Sequence, residues 1–257
     1  GIVKILSSKV FMMARIPFNQ RNPTMLEHIS SHFNQELEDV RTDVMRMGGL
    51  VEHQLQTLLK ALASADALNL TAVIDGDSAI NKLEVAIDDA CQTIIARRQP
   101  AAGDLRFVLT VTRIIVDLER MGDELKKTAL LAHELCSHNK VNATQLYDTH
   151  RLAEMTVPMI RRALDAFARL DSGAVIELNE ADRKLDTDYR NQSRMLATYM
   201  MEEPRNISAF IDIMMMNKAI ERIGDHAKNI SEHVVYLVRG IDIRHQPLER
   251  IEENLKG

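Results

Sequence analysis

The chain has 257 residues, of which 46% are apolar and 27% charged, and its 32 basic against 37 acidic side chains leave a formal net charge of −5. That composition excludes a disordered chain, and the missing basic excess excludes a nucleic-acid grip built on phosphate neutralisation. Only 10 Gly and 6 Pro, with 4 Tyr, 6 Phe and no Trp, favour helix over sheet, and no apolar run approaches the ~18 to 20 residues of a membrane span.

Residues 1–24 mix Ile2, Val3, Ile5, Leu6 and the apolar run from Val10 to Met13 with Lys4, Lys9 and Arg15, without an acid. They lack the uninterrupted apolar core and small-residue cleavage site of a signal peptide. They read as an N-terminal extension or expression remnant outside the fold, with Met25 as an alternative start.

From Leu26 onward apolar residues recur at three- and four-residue spacing, interrupted by turn residues only a few times. The spacing predicts six helices. The first runs from about Glu27 to Ala63, and its adjacent Gly48 and Gly49 are expected to loosen or kink it, at roughly 1 kcal/mol each. The second covers about Ala67 to Arg97 and stops at Gln99-Pro100, because proline lacks an amide proton and pushes the preceding residue out of the helical region. The third covers about Gly103 to Ser137, followed by a polar linker at residues 138–142. The plan then repeats, with helices over about Thr144 to Leu170, kinked at Pro158, then Ser172 to Met201 and Asn206 to Arg239. Pro204 stands where Pro100 stood.

An internal repeat supports this plan. Ala61, Ala63, Asp66 and Asp77 recur 105 residues later as Ala166, Ala168, Asp171 and Asp182. More clearly, the stretch from Asp117 to Asp123 (Asp-Leu-Glu-Arg-Met-Gly-Asp) answers the stretch from Ala219 to Asp225 (Ala-Ile-Glu-Arg-Ile-Gly-Asp) at an offset of 102. The expected fold is all-α: two tandem three-helix bundles, residues 25–140 and 141–246, with 247–257 as a C-terminal tail.

On the third helix the inner stripe is Val108, Val111, Ile115, Leu118, Gly122, Leu125 and Ala129; on the sixth it is Phe210, Ile213, Asn217, Ile220, Gly224, Ala227 and Ser231. Glu119 and Asp123 each follow a stripe residue by one, so they stack one turn apart along its edge, and Glu221 and Asp225 do the same. A mid-helix glycine between each pair is costly and implies that a backbone, an ion or a partner approaches closely. The neighbouring helices add Asp77, Asn81, Glu84 and Asp88, then Asp182 and Asp186. Glu232 lies three turns beyond Glu221. Clustered carboxylates repel unless a cation neutralises them, and hard oxygen donors suit Mg, Ca, Mn or iron, so one metal platform per bundle is the sharp reading against a solvated or salt-bridged face.

No catalytic constellation accompanies these acids. No Walker loop, dinucleotide turn, H-E-x-x-H or nucleophile motif is present, and no histidine has the glutamate three residues before it that four-helix di-iron enzymes use. His226 and His233, seven apart, read as bystanders more readily than ligands. Cys91 and Cys136, without a C-x-x-C or Cys/His cluster, read as reduced, buried thiols of a cytosolic protein. The methionines at 200–201 and 214–216 serve either as core filler or as an adaptable partner surface. Arg97, Arg98 and Arg106 form a basic spot at the first inter-helix turn, explained equally well by a dipole-compensated helix end.

Several stretches together resemble the PhoU family of phosphate-transport accessory proteins. They are Met-Gly-Gly at 47–49, Ala-Arg-Arg-Gln-Pro-Ala at 96–101, Asp-Leu-Glu-Arg-Met-Gly-Asp at 117–123, Leu-Asp-Ala-Phe-Ala-Arg at 164–169, Thr-Tyr-Met-Met-Glu at 198–202 and Glu-Arg-Ile-Gly-Asp-His-Ala-Lys-Asn-Ile at 221–230. The resemblance spans about residues 27 to 245. It implies two tandem three-helix bundles, commonly dimeric, acting in the cytoplasm as a non-enzymatic negative regulator of the phosphate-starvation response. It also implies partners: the phosphate ABC transporter with its ATPase subunit, and the sensor histidine kinase of the phosphate two-component system, so that the membrane is reached only through them. The family's E(D)-x-x-x-D motif, which binds metal in some members, falls on Glu119 and Asp123 and on Glu221 and Asp225, with Asp77 and Asp182 as a looser carry-over by repeat offset. The cofactor implied is a divalent ion or multinuclear cluster, with Fe, Mn, Mg and Zn not distinguished. The first repeat has Lys127 and Leu130 where the second has Asn229 and Glu232, a departure within the motif helices. A carboxylate-bridged metalloenzyme and a purely structural helical scaffold are the alternative readings.

Overall fold

Seven amphipathic stretches fold as helices in a computed structural model that describes residues 25–64, 66–137 and 146–256. The N-terminal extension, residues 1–24, and the linker at 138–142 lie outside the described residues. The helices are α1 (Met25–Ser64), α2 (Ala67–Arg98), α3 (Ala102–Ser137), α4 (Tyr147–Arg169), α5 (Ala174–Glu202), α6 (Ile207–Arg239) and α7 (Leu248–Lys256), with a 3-10 turn at Pro204–Asn206. Among the described residues there is no strand. Within the unit Glu36–Gly257, α1 from Glu36 onward packs with α2 and α3 as a first three-helix bundle, α4 to α6 form a second, and α3 packs extensively on α6.

Each helix buries the stripe its spacing defines. On α1, Val40, Val44, Met47, Val51, Leu55, Leu58 and Leu62 are buried at spacings of three and four. All fourteen residues of the two inner stripes on α3 and α6 are buried. Gly48 and Gly49 do not break α1. A Cβ on Gly48 would overlap the Leu164 side chain of α4, so this glycine lets α4 lie close, and the helix is held by tertiary packing rather than propensity. Nearby, Arg161 of α4 reaches Glu52 of α1 at 2.5 Å. Helix α4 likewise continues through Pro158.

The repeat is visible in turn chemistry. The Asp66 amide donates to the Ala61 carbonyl at 3.1 Å, and the Asp171 amide donates to the Ala166 carbonyl at 2.9 Å. Both carboxylates then accept from the amide two residues on, that of Leu68 and that of Gly173, each at 2.9 Å. These aspartates use a short side chain to satisfy amides that a helix start leaves unpaired, which explains why both recur.

The expected tail at 247–257 carries a seventh helix. Pro247 stands just before α7, and Ile251 is buried in a cluster with Val175, Val235 and Ile243, with Leu255 packed against it. Leu248, Ile251 and Leu255 follow the i, i+3, i+7 spacing of an amphipathic turn, a signal present in the sequence but short enough to be read as tail.

Candidate functional site: a carboxylate groove shared by both repeats

The close approach implied by the paired glycines is made by neighbouring helices. A Cβ on Gly122 would sit 3.1 Å from Ile80 Cδ1 and 3.4 Å from Asp77 Oδ1, both on α2. A Cβ on Gly224 would overlap Leu185 of α5 and lie 3.3 Å from Met159 Cε of α4. Each glycine therefore draws the helix bearing the looser carboxylate, Asp77 or Asp182, against the helix bearing the E-x-x-x-D pair.

In the first bundle Asp77 is 2% exposed. Its Oδ2 accepts from Lys126 Nζ at 2.9 Å and from Asn81 Nδ2 at 3.2 Å, while its Oδ1 is buried without a partner. Burial, reinforced by the negative charges of Asp123, Glu84 and Asp77 and opposed by Arg120, pushes the Glu119 carboxyl above the usual range. In the second bundle Lys228 Nζ stands at the position equivalent to Lys126 and donates to Asp182 Oδ2 at 2.7 Å and Asp225 Oδ1 at 3.1 Å. Burial opposes the ammonium charge, but the two carboxylates outweigh it and hold Lys228 protonated beyond the ordinary lysine range. Glu221 is buried and paired with Lys218. Burial, with Asp225 and Asp186 adding to it and Lys218 opposing, pushes its carboxyl up; Asp182 is pushed up in the same way, against the pull of Lys228.

Glu119 and Asp123 of α3 and Asp225 of α6 line a single groove of about 680 Å³ together with Arg120, Glu124, Arg222, His226 and Asn229. Two equivalent pairs, Arg120 with Arg222 and Asp123 with Asp225, face it, so the groove straddles the internal repeat. Arg222 crosses it to Glu124 at 2.9 Å. Glu221, Asp77 and Asp182 are not among the groove's lining residues; each is bonded to a lysine.

Beneath the groove is a cluster the sequence did not reveal. Asp117 of α3 is buried, and its carboxylate accepts from or shares protons with His226 Nδ1 at 2.8 Å and His233 Nε2 at 3.0 Å, and accepts from Asn229 Nδ2 at 3.3 Å. Burial alone would raise its pKa, but the hydrogen bonds from the two histidines prevail and hold the carboxyl below its usual range. His226 and His233 thus face an aspartate more than 100 residues away, on the other bundle. Their spacing of seven on α6 was the available signal; its partner was not readable from periodicity.

The donors here are oxygens, and the buried, unpartnered Asp77 Oδ1 together with the raised Glu119, Asp182 and Glu221 suits a hard cation. Among the described residues no three His, Cys, Asp or Glu side chains converge closely enough to hold an ion. Lys126 places positive charge against Asp77, and Lys228 against Asp182 and Asp225. Away from the groove, Cys91 is buried and its thiol is pushed up to about 12 by burial and then by Asp88, while Cys136 is half-buried; both are free thiols.

Comparison with known proteins places this geometry. The PhoU domain family model matches residues 44–132 and again 149–234, one match per bundle. The chain is 42% identical over 91% of its length to the phosphate-specific transport system accessory protein PhoU homolog of Pseudomonas putida, covering 91% of that protein. It is 41% identical over 90% of its length to the phosphate-specific transport system accessory protein PhoU of Escherichia coli, covering 95% of it. Among solved structures, PhoU from Pseudomonas aeruginosa superposes with a TM-score of 0.76 at 43% identity, over 81% of this chain and all of that one. The phosphate transport system regulatory protein PhoU from Streptococcus pneumoniae superposes with a TM-score of 0.73 at 28% identity, over 82% of this chain and 98% of that one. These relatives are named as accessory and regulatory proteins of phosphate transport, not as enzymes. With both repeats matched and identity above 40% across nine-tenths of its length, the chain belongs to the PhoU family.

Proposed function

We propose that the chain is a negative regulator of the phosphate-starvation response: an adaptor between the ATPase subunit of a high-affinity phosphate ABC transporter and the sensor histidine kinase of the phosphate two-component system, modulating phosphate uptake. The observation that carries this reading is the match along both repeats to accessory proteins of phosphate-specific transport. In this reading the chain works in the cytoplasm as a homodimer and reaches the membrane only through its partners. The test is a phosphate-responsive alkaline phosphatase reporter in phosphate-rich medium, comparing a strain deleted for this gene with the same strain carrying it back. High output in the deletion, silenced by the restored gene, is the expected result; equal low output in both overturns it.

Metal belongs to the same reading as a structural or tuning element. Glu119 and Asp123 in α3 and Glu221 and Asp225 in α6 would hold a divalent ion or multinuclear cluster, with Asp77 and Asp182 as looser candidates. Bound there, the ion would supply positive charge against the carboxylate repulsion that raises Glu119, Asp182 and Glu221. The double substitution Glu221→Ala with Asp225→Ala is expected to lower metal stoichiometry, read by elemental analysis of protein loaded with Mn or Fe; unchanged stoichiometry removes the ligand assignment. The metal-free scaffold is the second reading, favoured by the lysine partners of Asp77 and Asp182. Unaltered melting and unaltered reporter silencing after exhaustive chelation would select it.

A further inference from the structure

The second bundle has a cavity that the first has filled. It measures about 280 Å³ and opens where α5 ends and α6 begins. Met195, Leu196, Tyr199, Phe210 and Ile213 form its walls. Tyr199 and Phe210 pack ring against ring at 6.0 Å, and Met195 and Tyr199 are both more than 40% exposed. Its floor is polar but satisfied. Asn217 accepts from Thr149 Oγ1 at 2.7 Å and donates to Gln192 Oε1 at 2.9 Å, and Gln192 donates onward to the Asp148 carbonyl at 3.0 Å. The charged lining is acidic only: Asp148 and Glu203. Among the described residues neither has an ion pair, and Glu203 accepts one hydrogen bond, from Asn206 Nδ2 at 2.7 Å. The cations adjacent in sequence, Arg194, Arg205 and Lys218 among them, do not line the cavity.

The first bundle shows how such an end is closed. At the positions equivalent to Gln192, Leu196, Tyr199 and Asn217 it has Ile87, Cys91, Ile94 and Ile115, all buried. At the position equivalent to Glu203 it has Arg98, whose guanidinium donates Nε to Glu36 Oε2 at 2.9 Å and Nη2 to Glu36 Oε1 at 2.8 Å. Glu36 comes from the N-terminal turns of α1. The charge at the rim is reversed between the halves. An acidic rim over an open apolar cavity is complementary to a basic helical turn, with the charges the reverse of the Arg98–Glu36 pair in the first bundle.

We propose that this cavity is an anchor site for an amphipathic helix of a protein partner, which seats apolar side chains between Met195, Tyr199 and Phe210 and places an arginine or lysine against Glu203 and Asp148. Methionine and tyrosine walls suit the role, because a thioether repacks readily and an aromatic ring gives contact area at low entropic cost. The methionines of α4, α5 and α6 thereby divide their tasks. Met216 and Met159 fill the core, while Met195 faces the anchor.

The test uses the full chain and two fluorescein-labelled 15-residue synthetic helices with leucines at i, i+3 and i+7, one carrying flanking arginines and the other glutamates in their place. Anisotropy should show the arginine peptide binding at least tenfold more tightly, with the Met195 methyl resonance shifting in labelled protein. Glu203→Arg recreates the first bundle's charge at an exposed position. It should invert the preference between the peptides while leaving the melting temperature unchanged. Tyr199→Ala should weaken both by about tenfold. Equal affinity for the two peptides, binding to neither, or an unmoved Met195 resonance overturns the proposal. A Glu203→Arg change that alters self-association in sedimentation but not peptide preference assigns the face to a second copy of this chain and overturns it too. Binding that appears only after Lys140→Glu assigns the cavity to the chain's own segment at 138–145, with the same consequence.

Discussion

At the centre of the first bundle Val44, Ile87 and Ile115 are buried aliphatic side chains; the equivalent positions of the second bundle hold Thr149, Gln192 and Asn217, also buried and joined by hydrogen bonds. The helices, the turn aspartates and the lysine-bonded carboxylates repeat, so the backbone plan tolerates either chemistry at this layer. Apolar contacts need only volume, whereas a buried polar trio works only when each donor and acceptor is matched. The first half therefore has a closed, space-filled end, and the second a hydrogen-bonded floor beneath an open cavity.

The largest effect should come from moving one half's chemistry into the other. Ile115→Asn buries an amide among aliphatic side chains that offer it no partner and is expected to cost about 4 kcal/mol in urea denaturation. The reverse change, Asn217→Ile, leaves the Thr149 hydroxyl and the Gln192 carbonyl unpaired and should cost about 2 kcal/mol. Adding Thr149→Val and Gln192→Ile should bring the second bundle back to within about 1 kcal/mol of the parent, because all partners are then removed together. If the triple variant is instead the sum of three independent losses, the trio is not a coupled unit.

Between the halves, Asp117 is expected to act next most strongly. It is the buried acceptor for His226, His233 and Asn229, so Asp117→Ala leaves three side chains of α6 without their partner and should cost about 3 kcal/mol. The pH dependence has a definite sign. The carboxyl lies below its usual value in the folded chain, so its contribution is fully present above the unfolded carboxyl's pKa and is lost only as pH falls through the lower folded value. Denaturant titrations of parent and variant from pH 7 downward should converge in strong acid. A constant difference down to that limit would mean that Asp117 contributes packing rather than charge.

These contrasts also mark how far the sequence could be read. Periodicity fixed the inner stripes of α3 and α6 residue for residue, because a stripe's burial depends on spacing within one helix. The offset of Ala61 and Asp66 from Ala166 and Asp171 marked equivalent turns, since each aspartate bonds within five residues of itself. Gly122 and Gly224 announced a close approach without saying by what; the answer, α2 in one half and α4 with α5 in the other, depends on helix placement. Asp117 meeting His226 and His233 lay beyond reach for the same reason, as did the pairing of Lys126 with Asp77 and of Lys228 with Asp182. Asn217 was the legible anomaly, an amide at an inner-stripe position where its repeat partner is isoleucine. The shared groove follows from α3 packing on α6, which no local pattern encodes.

The smallest effect separates the two copies of the E-x-x-x-D motif. Glu119 and Glu221 occupy equivalent positions and both carboxyls are raised, but Glu221 has the Lys218 ammonium hydrogen-bonded to it, whereas Glu119 faces Asp123, Glu84 and Asp77 with only the through-space charge of Arg120 opposing them. A carboxyl whose folded pKa is raised binds its proton more tightly in the native chain, so stability falls as pH rises from the unfolded carboxyl's value through the folded one. Glu119→Gln removes that slope. It should leave the protein unchanged near pH 4 and, after allowance for solvent screening of this half-buried group, stabilise it by about 0.5 kcal/mol at pH 8. Glu221→Gln relieves repulsion from Asp225 and Asp186 but also removes the acceptor of Lys218, so no stabilisation is expected at either pH. Melting curves of the two variants at pH 4 and pH 8 check this directly. Equal gains for both at pH 8 would show that Lys218 does not neutralise Glu221 in solution and that the two halves carry the same unbalanced charge.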